Sequence, residues 1–271
     1  VICLTGDLHH NSLGTGNQKH CDITELQTTQ LFLKILEGAD IPVTFFVSGR
    51  CFTEEWKDIE PIVNHRLVEF GGHNFSCFQP EIVHRVFNKV LKSYNGPPVM
   101  QYVDARLTIA AARARTGKTI NLWRNHMYMH GPWTEEVLQR AGIICVSDGV
   151  QKNSPGPQLH KTGIYNFPIN VIPDHEHIYH AERTPEWVAN WQKRYNWSDD
   201  FGPQSYQIEE WTDLVIAGLQ ENEEKGVISN MIIHPITMYL ADRFKGFSRI
   251  AAYLKTRECL HMSQVLPGKN T

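Results

Sequence analysis

The chain has 271 residues, 41% of them hydrophobic and 20% charged, and a formal net charge of −3 with histidine neutral. These are the proportions of an ordinary folded protein, and the lack of a basic excess argues against nucleic acid or an anionic membrane surface as a partner. No apolar run approaches the ~20 residues that span a bilayer, which argues against membrane insertion.

The first stretch of interest is Leu4-Thr5-Gly6-Asp7-Leu8-His9-His10, where an apolar run over residues 1–4 delivers a carboxylate and two histidines. A polar loop follows over residues 11–20. Asp22 suits a helix N-cap, with Glu25 three residues on completing a capping box. Ile23, Leu26, Leu33 and Leu36 make a helical stripe, and Gly38 suits its end. Residues 41–49, Ile-Pro-Val-Thr-Phe-Phe-Val-Ser-Gly, are β-branched and aromatic, the signature of a buried strand. Strand, helix and strand in this order form a βαβ unit.

The unit recurs. Residues 54–65 read as helix and 67–70 as a short strand ending in Gly71-Gly72-His73-Asn74-Phe75-Ser76-Cys77. Residues 80–94 and 99–115 read as helices, broken by Asn95-Gly96-Pro97-Pro98. A strand over 119–123 ends in Arg124-Asn125-His126. A helix over 132–141 is closed by Gly142, and a strand over 143–146 runs into Ser147-Asp148-Gly149. Residues 165–172 are strand-like and end in Pro173-Asp174-His175-Glu176-His177. Residues 184–207 are rich in Trp and Tyr without a clean period. A helix over 208–225, a strand over 227–233 ending in His234-Pro235, and a helix over 247–256 complete the chain.

Six or seven such units, with no linker long enough to divide them, imply parallel strands joined by helical crossovers. The expected fold is α/β, a distorted (β/α)7-type barrel, in a single domain over residues 1–271. No Gly-x-Gly-x-x-Gly turn follows the first strand, which argues against a dinucleotide site. The six cysteines form no Cys-x-x-Cys pair; they read as free, mostly buried thiols, and a cytoplasmic location is expected.

In a barrel the carboxyl ends of the strands share one rim, where chemistry sits. Asp7, His9 and His10 end the first strand, and His73 with Cys77, Arg124 with His126, Asp148, Asp174 with His175 and His177, and His234 end others. His73 and Cys77, four apart, meet on one face if they lie on a helical turn, where both can grip a metal; a buried thiol beside a turn-capping histidine is the alternative. Arg124 suits either a substrate anion or a carboxylate such as Asp7 or Asp148. His234, ending an apolar strand, suits a catalytic acid or its partner. His175 and His177 share a face if the strand continues, and belong to a surface loop if it does not. The aromatic segment supplies either stacking surfaces for sugar rings or packing.

These stretches resemble the motifs of the polysaccharide deacetylases, carbohydrate esterase family 4, with the NodB homology domain. Residues 41–49 are similar to that family's "IPATFFVxG" strand. Thr5-Gly6-Asp7 resembles its Thr-Phe-Asp-Asp motif, residues 70–77 its Gly-x-His-[Ser/Thr]-x-x-His motif, and Trp123-Arg124-Asn125-His126 its Phe-Arg-x-Pro motif. Gly142 to Asp148 resembles the strand that delivers an Asp, and Ile232-Ile233-His234-Pro235 the Leu-x-His motif. The resemblance implies a metal-dependent hydrolase removing an N-acetyl group from a sugar or glycan precursor. It implies Asp7 as general base, Arg124 and Asp148 as its support, and His234 as the acid. His73 would hold the metal, a divalent ion.

Leu8 stands where the family's second, metal-binding Asp is, His9 one residue later, and Cys77 where its second metal His is. A set of His9, His73 and Cys77 favours Zn²⁺; Asp7 as a ligand, or a site without metal, are the other arrangements. His10, His126, His175 and His177 are expected around the substrate. An amidohydrolase on a small non-sugar amide and an inactive carbohydrate-binding barrel are the competing functions.

Overall fold

The computed structural model describes residues 1–268 apart from 12, 13 and 15. In chain order the elements are β1 (Ile2–Leu8), α1 (Gly16–Lys19), α2 (Glu25–Ala39), β2 (Val43–Val47), α3 (Gly49–Glu54), α4 (Trp56–Val63), β3 (Val68–Gly72), α5 (Glu81–Leu91), α6 (Pro98–Thr116) and β4 (Leu122–Trp123). There follow α7 (Thr134–Ala141), β5 (Cys145–Val146), β6 (Gln158–Leu159), β7 (Tyr165–Asn166), α8 (Pro185–Tyr195), α9 (Ile208–Glu224), β8 (Ser229–Ile232), α10 (Pro235–Asp242) and α11 (Lys245–Leu254).

The eight strands form one sheet in the order β6-β7-β5-β4-β3-β2-β1-β8, parallel except for the β6–β7 hairpin. β1 pairs on one side with β2 and on the other with β8, in the register Thr5 to Thr44 and Thr5 to Ile232. The sheet curls, and its two flanks meet through asparagines. Asn170, just past β7, donates its backbone N–H to Asn230 O on β8 at 3.1 Å. Asn230 returns a backbone N–H to Asn170 Oδ1 at 2.8 Å and donates Nδ2 to Phe167 O at 2.8 Å. Side-chain amides thus replace part of a backbone ladder, which is the distortion of this barrel.

Alternation along β1 sorts the two faces. Ile2, Leu4 and Leu8 join the main apolar cluster with Phe32 and Leu36 of α2 and Trp211 of α9. Cys3 joins a second cluster with Phe46, Leu122, Cys145 and Phe167. Above that second cluster lie the polar side chains of Thr5, Asn230 and Ser147, and then Asp7. The barrel interior is therefore plugged by apolar groups at its amino end and becomes polar toward the carboxyl rim. Gly6 allows β1 and β8 to close up, because a Cβ there would sit 2.5 Å from Ile233 O.

Several local expectations give way. The N-cap of α2 is Thr24, which accepts from Gln27 N–H while Gln27 returns the bond; neither Asp22 nor Glu25 caps it. The Thr24–Gln27 pair two residues on makes the capping box instead, and the Glu25 carboxylate is taken up by half-buried His9. Residues 165–172 pair as a strand only over β7, and the rest is irregular around the asparagine seam. The aromatic segment contains α8, begun by Thr184, whose hydroxyl accepts from Trp187 N–H. Its tryptophans face other aromatic rings rather than the core, which hides the helical period. All six cysteines are free. No helix among the described residues is long and apolar enough to cross a membrane.

Candidate active site and metal centre

The site is built around Asp7, which β1 carries to the rim on the interior face. Its carboxylate Oδ1 accepts from Arg124 Nη1 at 2.9 Å. Arg124 is fully buried and every arm of its fork is used. Nε donates to Ser147 O at 2.9 Å, and Nη2 to Thr5 Oγ1 at 3.0 Å and Ser147 Oγ at 2.7 Å. The guanidinium lies over the Phe46 ring, 4.4 Å from its centroid, a desolvated cation–π contact. Burial by itself would raise the Asp7 carboxyl, but Arg124, with His73, His234 and His9, outweighs it and holds the group at about 2. Asp7 is thus an anion at all ordinary pH values.

His234 follows β8 and faces Asp7, with Nε2 3.8 Å from Asp7 Oδ2. Its Nδ1 donates to Asp174 Oδ1 at 2.7 Å, and its backbone N–H donates to Asp174 Oδ2 at 2.6 Å. Asp174 therefore fixes both ring and backbone. Burial opposes protonation of His234, but Asp174, aided by Asp7 and Glu176, raises the group to about 9.

On the other side of Asp7 stand three histidines and a cysteine. His9, His73, Cys77 and His126 bring one donor atom each to within 4.8 Å of one another. His9 Nδ1 donates to Glu25 Oε1 at 3.0 Å, and His73 Nδ1 donates to Arg124 O at 2.8 Å. Burial keeps His73 neutral, lowered to about 3 despite Asp7, and burial likewise lowers His126 well below its ordinary value. With both Nδ1 protons committed, the Nε2 lone pairs of His9 and His73 confront each other at 3.1 Å. His126 Nδ1 lies 3.4 Å from His73 Nε2. Such spacings match the ~3.3–3.4 Å edge that bonds of about 2.0–2.1 Å give a tetrahedral zinc polyhedron. Facing lone pairs, an imidazole-and-thiol donor set and acceptors behind two rings fit a divalent cation of the zinc type. Burial pushes the Cys77 thiol well above its ordinary value, so its ligation depends on the cation that would deprotonate it.

In the sequence Glu25 reads only as a capping-box residue and Asp174 only as a strand-end carboxylate, yet each orients a histidine. Glu25, 2% exposed, accepts both the His9 ring and the His9 backbone N–H, the latter at 2.9 Å. Glu25→Gln keeps the shape and removes the charge. It is expected to weaken Zn²⁺ binding by about 10–100-fold, measured by competition with a chromophoric chelator; unchanged affinity would remove Glu25 from this role.

The structure brings Asp7, His9, His73, Cys77, Arg124, His126 and His234 together. It does so although His73 and Cys77 lie on an irregular turn, with Asn74 and Cys77 in left-handed conformation, rather than on a helix. Leu8 points into the outer core, which is why His9 takes the position beside the cluster. Asp148 does not touch Arg124; it accepts from Asn125 N and Nδ2, both at 2.7 Å, and Ser147 supports Arg124 instead. His10 turns away toward Glu54 at 3.1 Å. His175 lines the site cavity. His177, two residues on, is buried against Gln204 O and Asp199, since the chain there is a turn and the expected shared face is lost. The cavity over Asp7, His126 and His234 has a volume of about 160 Å³.

No family model matches the sequence, and no curated protein matches it. Solved structures do. A protein described as a polysaccharide deacetylase from Mycobacterium smegmatis superposes with a TM-score of 0.69 at 17% identity, covering 97% of this chain and 87% of that one. Puue allantoinase gives 0.62 at 13% identity, covering 96% and 86%. A Streptococcus mutans CE4 esterase gives 0.53 at 14% identity, covering 96% and 84%. What is shared at these identities is the fold, and the chain has the fold of the polysaccharide deacetylases and CE4 esterases.

Proposed function

We propose that the chain is a metal-dependent hydrolase that removes the N-acetyl group from a sugar or glycan precursor. One observation carries this reading: an ionised Asp7 stands between a four-donor cluster and a protonated His234 at one barrel rim. His9, His73, Cys77 and His126 would hold the divalent ion, most simply Zn²⁺, which when bound supplies a Lewis acid for the acyl oxygen. Asp7 accepts the proton of the attacking water. Arg124 holds the Asp7 carboxylate in place through Oδ1 and leaves Oδ2 facing the cavity. His234 donates its Nε2 proton to the leaving nitrogen, and Asp174 keeps that proton on Nε2 by engaging Nδ1. Base and acid thus both face one small chamber, 3.8 Å apart. Site residues come from both ends of the chain, which fits one domain over residues 1–271, and six unpaired thiols fit a cytoplasmic setting.

The second reading is hydrolysis of a small non-sugar amide. It is favoured by the chamber, which is smaller than the ~300–1,000 Å³ of common ligand pockets, and by a neighbour of similar fold being an allantoinase. Acetate release from N-acetylglucosamine and its oligomers, beside turnover of allantoin, separates the two. The Zn²⁺-loaded protein is expected to release acetate, and stripping with chelator to abolish it. Turnover of allantoin alone would favour the second reading, and turnover of neither would leave a carbohydrate-binding barrel.

A further inference from the structure

At the mouth of the reactive chamber two charged side chains each keep one buried polar atom without a hydrogen-bond partner among the described residues. Arg183 is 7% exposed. Its Nη2 donates to Glu176 O at 2.7 Å, while its Nε has no hydrogen-bond partner among the described residues. Glu176 Oε2 is likewise buried without a partner. Buried polar groups are normally satisfied, and an orphaned charged donor beside an orphaned acceptor is costly. Both residues line the 160 Å³ chamber over Asp7, and both also line a second, larger cavity of about 540 Å³ walled by Trp187, Trp191 and Trp197. They therefore stand as a collar between the two spaces. The Arg183 guanidinium rests against the rings of Trp187 and Trp191, at 5.1 and 5.3 Å from their centroids.

We propose that Glu176 and Arg183 bind a pair of vicinal hydroxyls on a pyranose ring, whose acyl-amide arm enters the inner chamber while the ring lies against Trp187. The chemistry of the two orphans selects the ligand. Arg183 Nε offers a donor and Glu176 Oε2 an acceptor, and a hydroxyl is the common group that both accepts and donates. A diol satisfies both without adding charge. A carboxylate would suit Arg183 but would be set against Glu176. The flat indole beside the collar suits the apolar face of a ring. The small chamber admits an acetamido group, and the larger vestibule admits the sugar. This assignment rests on the sugar reading above and gives that site its recognition groups.

The test separates binding from turnover. Tryptophan fluorescence of the metal-loaded protein is titrated with N-acetyl-D-glucosamine, its 3-deoxy and 4-deoxy analogues, and N-acetylated glucosaminuronate. Wild type is expected to bind the parent sugar and to lose about 10-fold or more in Kd with at least one deoxy analogue, since a site built for a hydroxyl penalises its absence. Arg183→Lys, which keeps the charge but not the fork, and the isosteric Glu176→Gln are each expected to raise Kd for the parent sugar by a similar factor. Neither is expected to change that for the deoxy analogue lacking the hydroxyl it contacts. Equal binding of all analogues, tighter binding of the uronate, or unchanged Kd in both variants would overturn the assignment. Sugar binding without acetate release would sink the hydrolase reading and leave the collar standing. Acetate release with no loss from either variant would do the reverse.

Discussion

Arg124→Ala is expected to destabilise the protein by about 3–5 kcal/mol, the cost of leaving a buried ion pair half-broken. Truncation removes the donor from Asp7 Oδ1, from Thr5 Oγ1 and from two acceptors of Ser147 at the buried floor of the site. It also empties the space against Phe46. Arg124→Met refills much of that volume and isolates the charge. Combining it with Asp7→Asn removes the uncompensated anion, so the double variant is expected to be more stable than the sum of the two single losses. Urea unfolding of the four proteins measures the coupling. Strict additivity would mean that Asp7 and Arg124 do not support each other.

The same pair sets an acid limit. The folded carboxyl of Asp7 lies at about 2, below its ordinary 3.8. Its ionisation thus contributes stability that is present above about pH 3.8 and is lost as pH falls through about 2. Arg124→Met should remove that dependence, because the cation that opposes burial is gone.

The second large effect concerns His234. Its folded value of about 9 lies above the ordinary 6.5. The acid form persists to about pH 9, and a rate that needs it falls on the alkaline side of that value. The linked stability is full below about 6.5 and lost as pH rises through about 9. Asp174→Asn removes the main upward push, so the alkaline limb of kcat/KM is expected to move down toward 6.5. His234→Ala is expected to cost about 10²–10⁴-fold in kcat, the usual worth of a positioned proton donor. A profile over about pH 5–11 for wild type and Asp174→Asn reads the limb directly. An unmoved limb would show that another group is the acid.

Much of this site is legible because strand ends are local signals. Asp7, His73, Arg124 and His234 each terminate an apolar run, and a parallel barrel needs only that fact to gather them. Glu25 is hidden because three residues after Asp22 it reads as a capping-box acid, which needs no further partner. Asp174 is visible as a strand-end carboxylate, but its partner lies 60 residues away, and no spacing announces that pairing. Asp148 and Ser147 are adjacent, and which of them meets Arg124 depends on side-chain direction at the end of a two-residue strand. His175 and His177 carry a strand-like spacing in a segment where the chain has already turned. Glu176 sits between two histidines that draw the eye and Arg183 just before the aperiodic segment, and only the orphaned atoms mark them.

The place of β1 in the sheet has a kinetic meaning. Thr5 pairs with Ile232, so the first strand completes its hydrogen bonding only when the last one arrives. Asp7 and His234 depend on that single long-range closure, and closures of such sequence separation are slow to form. During refolding, helices and the β1–β2–β3 neighbours can organise early, yet none of those states has an acid facing a base. Recovery of catalysis should therefore trail the recovery of secondary structure and coincide with protection of the Ile233 amide, which donates to Thr5 O.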